Sequence, residues 1–162
     1  MEKRIAATKF DELASNRKIK KRKTNSSTMI KKIEIKTRSR VEFQDVTGRI
    51  QDVVAGSGVR DGLCHVFVPH TTAGLLVNEH ADPAVVEDIA ARLDEMVPQS
   101  KSYRHTEGNS PAHIKAGLLG DSRTFFVEGG RLVLGTWQGI FFAEFDGPRS
   151  RSLLVKVTPD RS

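Results

Sequence analysis

From Arg123 to Val157 the chain reads as little other than strands and the turns that join them, and this stretch limits the fold most. Gly129-Gly130 separates Arg123–Glu128 from Arg131–Leu134, the pattern of a tight hairpin. In the next strand Trp137, Phe141, Ala143 and Phe145 share one parity, and Gln138, Ile140, Phe142, Glu144 and Asp146 share the other. Gly147-Pro148 turns the chain again, and Ser152–Val157 closes it. Strands joined by hairpin turns pair antiparallel, so the expected fold is α+β, mainly an antiparallel β-sandwich with a few flanking helices. Glu144 is out of place between Ala143 and Phe145; if buried, it needs a partner.

Upstream, the signals alternate between strand and helix. Ile30–Lys36 alternates apolar and charged residues as an opening strand. Asp45 is placed to cap a short helix with Val46, Ile50, Val53 and Val54 on one face, ended by Gly56-Ser57-Gly58. Leu63–Pro69 and Ala73–Asn78 read as two interior strands around His70-Thr71-Thr72. Asp82-Pro83 opens the clearest helix, a capping side chain followed by proline where a missing N–H costs nothing. Val85, Val86, Ile89, Leu93 and Met96 form its core stripe, and Pro98 stops it. Residues 99–112 make a long polar loop, of a length that is often functional. Ser110-Pro111 repeats the cap-then-proline signature for a helix reaching Leu119 and ended by Gly120.

Charge divides the 162 residues unevenly. Residues 1–28 hold nine Lys/Arg against three Asp/Glu and so carry the whole net charge of +6, whereas residues 29–162 hold seventeen of each. The first 28 residues have too few apolar side chains to offset the entropy of ordering, so they are expected to be a disordered basic extension before a single domain at 29–162. The run Arg17–Lys23 suits a tether to nucleic acid or an anionic surface. Nothing in the neutral body supports that use, so nucleic acid is not an expected partner, and the simpler reading is a dispensable extension with Met29 as an alternative start. No apolar run follows the early charges as in a secretory signal, and Asp11 and Glu12 argue against a transit peptide. No stretch approaches the roughly 18 apolar residues of a membrane span. The lone Cys64 cannot form an internal disulfide and sits in an apolar strand, which makes the cytoplasm the expected compartment.

All five histidines fall between positions 65 and 113, in the segment that holds the long loop. His70 ends a strand, His105 lies in the loop and His113 is near the start of a helix whose neighbouring Ala116 and Gly117 leave space. Three histidines from separate elements are one way to assemble a divalent metal site, although the spacing matches no zinc signature. His65 and His80 read as structural. Glu79, ending a strand, suits a general base or an orienter of a ligand histidine, while Asp82 is accounted for as a cap. The helix start at Ser110-Pro111 offers free N–H groups beside Gly108 and Asn109, and Arg104, Lys115, Arg149 and Arg151 add charge for a phosphate. No Walker loop, G-x-G-x-x-G or G-x-S-x-G is present, which removes the commonest nucleotide and hydrolase readings and leaves no organic cofactor expected.

His70-Thr71-Thr72-Ala73, Asn78-Glu79, Asp82-Pro83 and Asp88 together resemble the YjbQ-like family of small proteins. The resemblance continues through His105–Ser110, Ala112–Lys115, Leu134–Ile140 and Glu144–Arg149, and so runs from about Ile30 to Val157. It implies a β-rich sandwich with flanking helices, usually a homotrimer, with histidines near a subunit interface that can hold a metal, zinc or magnesium. The family is also described as a secondary thiamine-phosphate synthase group, in which hydroxymethylpyrimidine diphosphate is joined to thiazole phosphate with release of pyrophosphate. Carried over by motif, the implied residues are His70, Asn78, Glu79, His105, Glu107, Asn109, His113 and Lys115. The resulting expectation has His70, His105 and His113 on a metal. Glu79, Glu107 and Lys115 are expected in catalysis, and Asn78, Arg104 and Asn109 on a small phosphorylated metabolite. The alternative is a non-catalytic homotrimer that binds a metal or a small anionic metabolite.

Overall fold

The computed structural model describes residues 29–160; the expectations for residues 1–28, including the basic run, lie outside the described residues. The alternating segments form eight strands: β1 (Lys31–Lys36), β2 (Glu42–Asp45), β3 (Gly62–Phe67), β4 (Ala73–Glu79), β5 (Ser122–Glu128), β6 (Arg131–Leu132), β7 (Gln138–Glu144) and β8 (Ser150–Pro159). Three helices, α1 (Thr47–Ser57), α2 (Pro83–Met96) and α3 (Ser110–Leu119), complete the described chain. The strands pair antiparallel in two sheets, ordered β1-β8-β3-β5-β6 and β2-β7-β4. This is the expected α+β, mainly antiparallel sandwich.

The main core lies between the sheets. Ile35, Val66, Leu153 and Val155 from the larger sheet meet Leu75, Ile140 and Phe142 from the smaller, with Ile50 and Val54 of α1 joining them. Each of these large side chains contributes about 1.5–3 kcal/mol on leaving water. β7 is buried on both faces, which explains its apolar residues at both parities. Ile140 and Phe142 point into the sandwich, while Ala143 and the following Phe145 pack outward against Leu93 of α2 and Ala112 and Ala116 of α3. The two helices therefore form a third layer over the smaller sheet. No helix among the described residues is long and apolar enough to cross a membrane.

Sequence signals match the structure where their chemistry is local. Asp82 accepts the Ala84 N–H at 2.9 Å and Pro83 opens α2. Gly129 and Gly130 turn β5 into β6 with φ of 58° and 81°, where a side chain would be strained. Four details differ from expectation. Met96 is 63% exposed because α2 ends there and the stripe passes to buried Val97. Asp45 accepts from Thr47 N at 2.8 Å, but the capping position of α1 is Val46. Asn109, not Ser110, holds that position on α3, and its side chain makes no capping bond. β4 is an edge strand and not an interior one. Its free side is closed by the end of α3: Leu75 N donates to Gly120 O at 2.9 Å, and a Cβ on Gly74 would come within 2.8 Å of that same oxygen. Only glycine allows the approach.

Candidate functional site

The long loop between α2 and α3 is braced from within. Gln99 Nε2 donates to Gly108 O at 2.9 Å and the Tyr103 hydroxyl donates to Pro98 O at 3.2 Å. Asn109 O accepts from Ala112 N and starts α3. This arrangement sets His105 of the loop against His113 of the helix, ring centroids 5.3 Å apart and planes at 89°. Glu107 Oε2 lies 3.7 Å from His105 Nε2, too far for a hydrogen bond. The His113 side chain has no hydrogen-bond partner among the described residues, so its ring nitrogens are not consumed by the fold. A cavity of about 560 Å³ lies within the curl of the loop, lined only by residues between Gln99 and Ser110, among them Lys101, Tyr103, Arg104 and His105.

A second cavity, of about 310 Å³, shares Gln99 with the first. Lys115 reaches it from α3, with Arg40 and Asp94 also in its wall. The Lys115 side chain is 7% exposed and pairs with Asp94, whose own side chain is 60% exposed. An ammonium has three donors, and Asp94 takes one of them. A buried cation with spare donors beside a cavity suits an anionic ligand.

His70 has a different environment. Ser152 N donates to His70 Nε2 at 2.9 Å, which needs that nitrogen unprotonated. Burial and then the nearby Arg151 charge push its pKa below the ordinary histidine value, against the opposing pull of Glu144. Nδ1 then carries the ring proton and can only donate. Among the described residues no group of three or more His, Cys, Asp or Glu side chains is arranged to hold a metal. The chain thus brings together His105 and His113 but does not gather His70 with them as one donor set.

The other expected residues are dispersed in role. Asn109 sends Nδ2 to Asp146 Oδ2 at 3.0 Å, leaving its buried Oδ1 without a partner among the described residues. Burial works against ionisation of Asp146, yet the bonds from Asn109 and Arg149 and the charges of Arg149 and Arg151 outweigh it and hold the carboxyl below its usual range. Asn78 turns Oδ1 back to accept Glu79 N at 2.8 Å. Neither Asn78 nor Glu79 lines the two loop cavities. Arg149 and Arg151, candidates for phosphate, are engaged by the fold: Arg149 on Asp146, Arg151 on Glu144 and on Thr72. Nothing in the sequence singles out Asp94, Arg40 or Gln99. Asp94 lies 21 residues from Lys115, and no local pattern links the two.

The family model described as "UPF0047 protein YjbQ-like" matches residues 31–160. The chain belongs to the YjbQ/UPF0047 family. The UPF0047 protein MJ1081 of Methanocaldococcus jannaschii is 49% identical over 133 residues, covering 82% of this chain and 96% of that one. The UPF0047 protein YugU of Bacillus subtilis is 45% identical over 130 residues, covering 80% and 98%. Among solved structures, a YjbQ/UPF0047 protein from Clostridium acetobutylicum, described as uncharacterized, superposes with a TM-score of 0.77 at 50% identity over 79% of this chain and 99% of that one. A YbjQ-like protein of unknown function from Sulfolobus solfataricus gives a TM-score of 0.78 at 37% identity, covering 82% and 97%. The family and fold are thereby shared along the described domain.

Proposed function

We propose that this YjbQ/UPF0047 chain acts on a phosphorylated small molecule at the loop between α2 and α3, as a transferase of the thiamine-phosphate synthase type. The observation that carries the reading is the pair of cavities meeting at Gln99, supplied with Lys101 and Arg104 on one side and Lys115 and Arg40 on the other. In the reaction the thiazole nitrogen lone pair forms a C–N bond to the pyrimidine methylene as its C–O bond breaks. The electron pair leaves with pyrophosphate and no proton is transferred. Such a step asks chiefly for neutralisation of the leaving group's charge. Lys115 and Arg104 fill that role; at the start of α3 Pro111 has no N–H and the Ala112 and His113 amides donate to Asn109 O, which leaves the Ser110 N–H to add to it. Glu107 is the carboxylate near enough to orient His105 with a small loop movement.

His105 and His113 fit two donor positions of a zinc site, since neither imidazole is used up by the fold; magnesium prefers oxygen donors and would rest on the phosphate and carboxylates instead. A third donor would come from a neighbouring copy in a homotrimer; His70 would serve there only by giving up its bond from Ser152 N, because Nδ1 carries the ring proton while Nε2 accepts. A bound divalent ion would supply further positive charge against the pyrophosphate. Exposed Ile114 and Leu118 on α3, beside His113, support self-association at this end of the molecule. The same two side chains also fit the second reading, a non-catalytic homotrimer that binds a metal or an anionic metabolite.

Complementation of a thiamine-requiring strain tests the catalytic reading. Wild type should restore growth, while Lys115→Met and His105→Ala should each fail although the variant proteins remain folded. Growth unaffected by both substitutions would overturn it. Metal analysis after a metal-replete preparation should find bound ion that His113→Ala loses, and its absence in wild type would remove the metal from the proposal.

A further inference from the structure

A third cavity lies away from the loop, between α2 and the outer face of β2 and β7, with a volume of about 340 Å³. Its floor is apolar: Phe43, Phe141, Val86 and Ala90. Glu42, Asp45, Asp82 and Glu87 rim it together with His80, and no Lys or Arg does. The two loop cavities have the opposite character. Asp45 is opposed by burial but held below the usual carboxylate range by bonds from Thr47 and His80, and Glu42 likewise by the Arg38 and Ser39 amides and Gln44. Glu87 is exposed and makes no hydrogen bond or ion pair among the described residues.

A groove with an apolar floor and a rim of one sign selects a segment in which an apolar side chain sits among cations. The sequence holds such a segment in Arg17-Lys18-Ile19-Lys20-Lys21-Arg22-Lys23, with six cations around one isoleucine. Residues 1–28 carry the whole net charge, and residues 29–162 balance to zero, so this positive charge has no evident counterpart other than a local negative patch. The connection is long enough. The groove residues Val41, Glu42, Phe43 and Asp45 follow the end of β1 at Lys36 after four intervening residues, and β1 spans about 20 Å at roughly 3.3 Å per residue. Ten residues separate Ile19 from Met29, an extended reach of about 33–36 Å. The intervening Thr24-Asn25-Ser26-Ser27-Thr28 contains no apolar residue and suits a spacer.

We propose that the groove between α2 and β2 is the docking site of the chain's own basic segment Arg17–Lys23, with Ile19 over Phe43 and Phe141 and the flanking cations against Glu42, Asp82 and Glu87. Because the segment is tethered, its effective concentration is high and weak contacts suffice.

Zero-length carbodiimide cross-linking of the full chain reads this directly, since it joins only lysines and carboxylates in contact. Cross-links mapped by mass spectrometry should join Lys18, Lys20, Lys21 or Lys23 to Glu42, Asp82 or Glu87. Their yield should fall about two- to five-fold with Glu87→Gln. It should also fall with Ile19→Ser, which leaves every charge in place. Charge exchange, Lys20→Glu combined with Glu87→Lys, should restore docking and give a cross-link of reversed polarity between positions 87 and 20. Links spread evenly over the surface carboxylates, or a yield indifferent to Ile19→Ser, would overturn the proposal. Links found only between heavy and light chains in an isotopically mixed sample would make a second copy the occupant and overturn the same-chain form. Groove links unaffected by Glu87→Gln but abolished by added DNA would assign the arm to polyanions instead.

Discussion

Two ion pairs that hold a buried cation in this domain differ in almost every respect but charge. Arg151 and Glu144 are 10% and 0% exposed, and the carboxylate accepts from both Arg151 Nε and Nη2, from Thr37 Oγ1 and from the Phe145 and Asp146 amides. Arg151 Nη2 also donates to Thr72 Oγ1. Lys115 is buried to a similar degree, yet Asp94 is its one hydrogen-bond partner among the described residues and is itself largely in solvent. The first pair is consumed by the fold, tying β7 to β8 across the two sheets. The second leaves donors facing a cavity. Burial of a charge therefore says little about function until its bonds are counted.

Removing one partner from the saturated pair should have the largest effect. Arg151→Met leaves Glu144 buried without its cation and should cost about 3–5 kcal/mol, read from urea unfolding. A loss under about 1 kcal/mol would mean that the Thr37 and amide bonds alone satisfy Glu144. Next in size is His70, which borders this network through Ser152. His70→Leu strands the Ser152 amide and should cost about 1–2 kcal/mol at pH 7.5. Its pH dependence carries a sign. The folded pKa lies below the unfolded value near 6.5, so the stabilisation is fully present above that value and is lost as pH falls towards the folded pKa. Wild type should therefore lose stability between pH 7 and 5 more steeply than His70→Leu, measured by thermal unfolding at several pH values. Smallest on stability is Lys115→Met, which frees an already exposed Asp94 and should change unfolding by less than about 1 kcal/mol. It should instead abolish binding of pyrophosphate followed by calorimetry. A large loss of stability with binding intact would erase the contrast between the pairs.

What could be read from the sequence follows the same division between local and distant partners. The Asp82-Pro83 helix start, the Gly129-Gly130 turn and the strand alternation of β1 are decided within a few residues, and each appears where expected. Glu144 announces that it needs a partner by its apolar neighbours alone. Nothing near it names Arg151, which the sequence offers as charge for a phosphate and the fold spends on Glu144. The partner of His70 is hidden for the same reason: the amide that donates to its Nε2 is 82 residues away. β4 looks interior because its side chains are apolar, while its edge position depends on where α3 ends. Of the site, the clustering of His105 and His113 is visible in the sequence and their edge-to-face approach is not. The groove under α2 leaves no trace there, since its four carboxylates are spread from Glu42 to Glu87.

Gln99 has a consequence for the size of ligand the domain accepts. It stands in the wall of both loop cavities, and its amide is fixed to Gly108 O. That bond joins the wall shared by the two cavities to the far end of the segment that carries His105. Under the proposed function, a ligand long enough to occupy both cavities would meet Gln99, and releasing its amide from Gly108 would cost the worth of one hydrogen bond, about 1 kcal/mol.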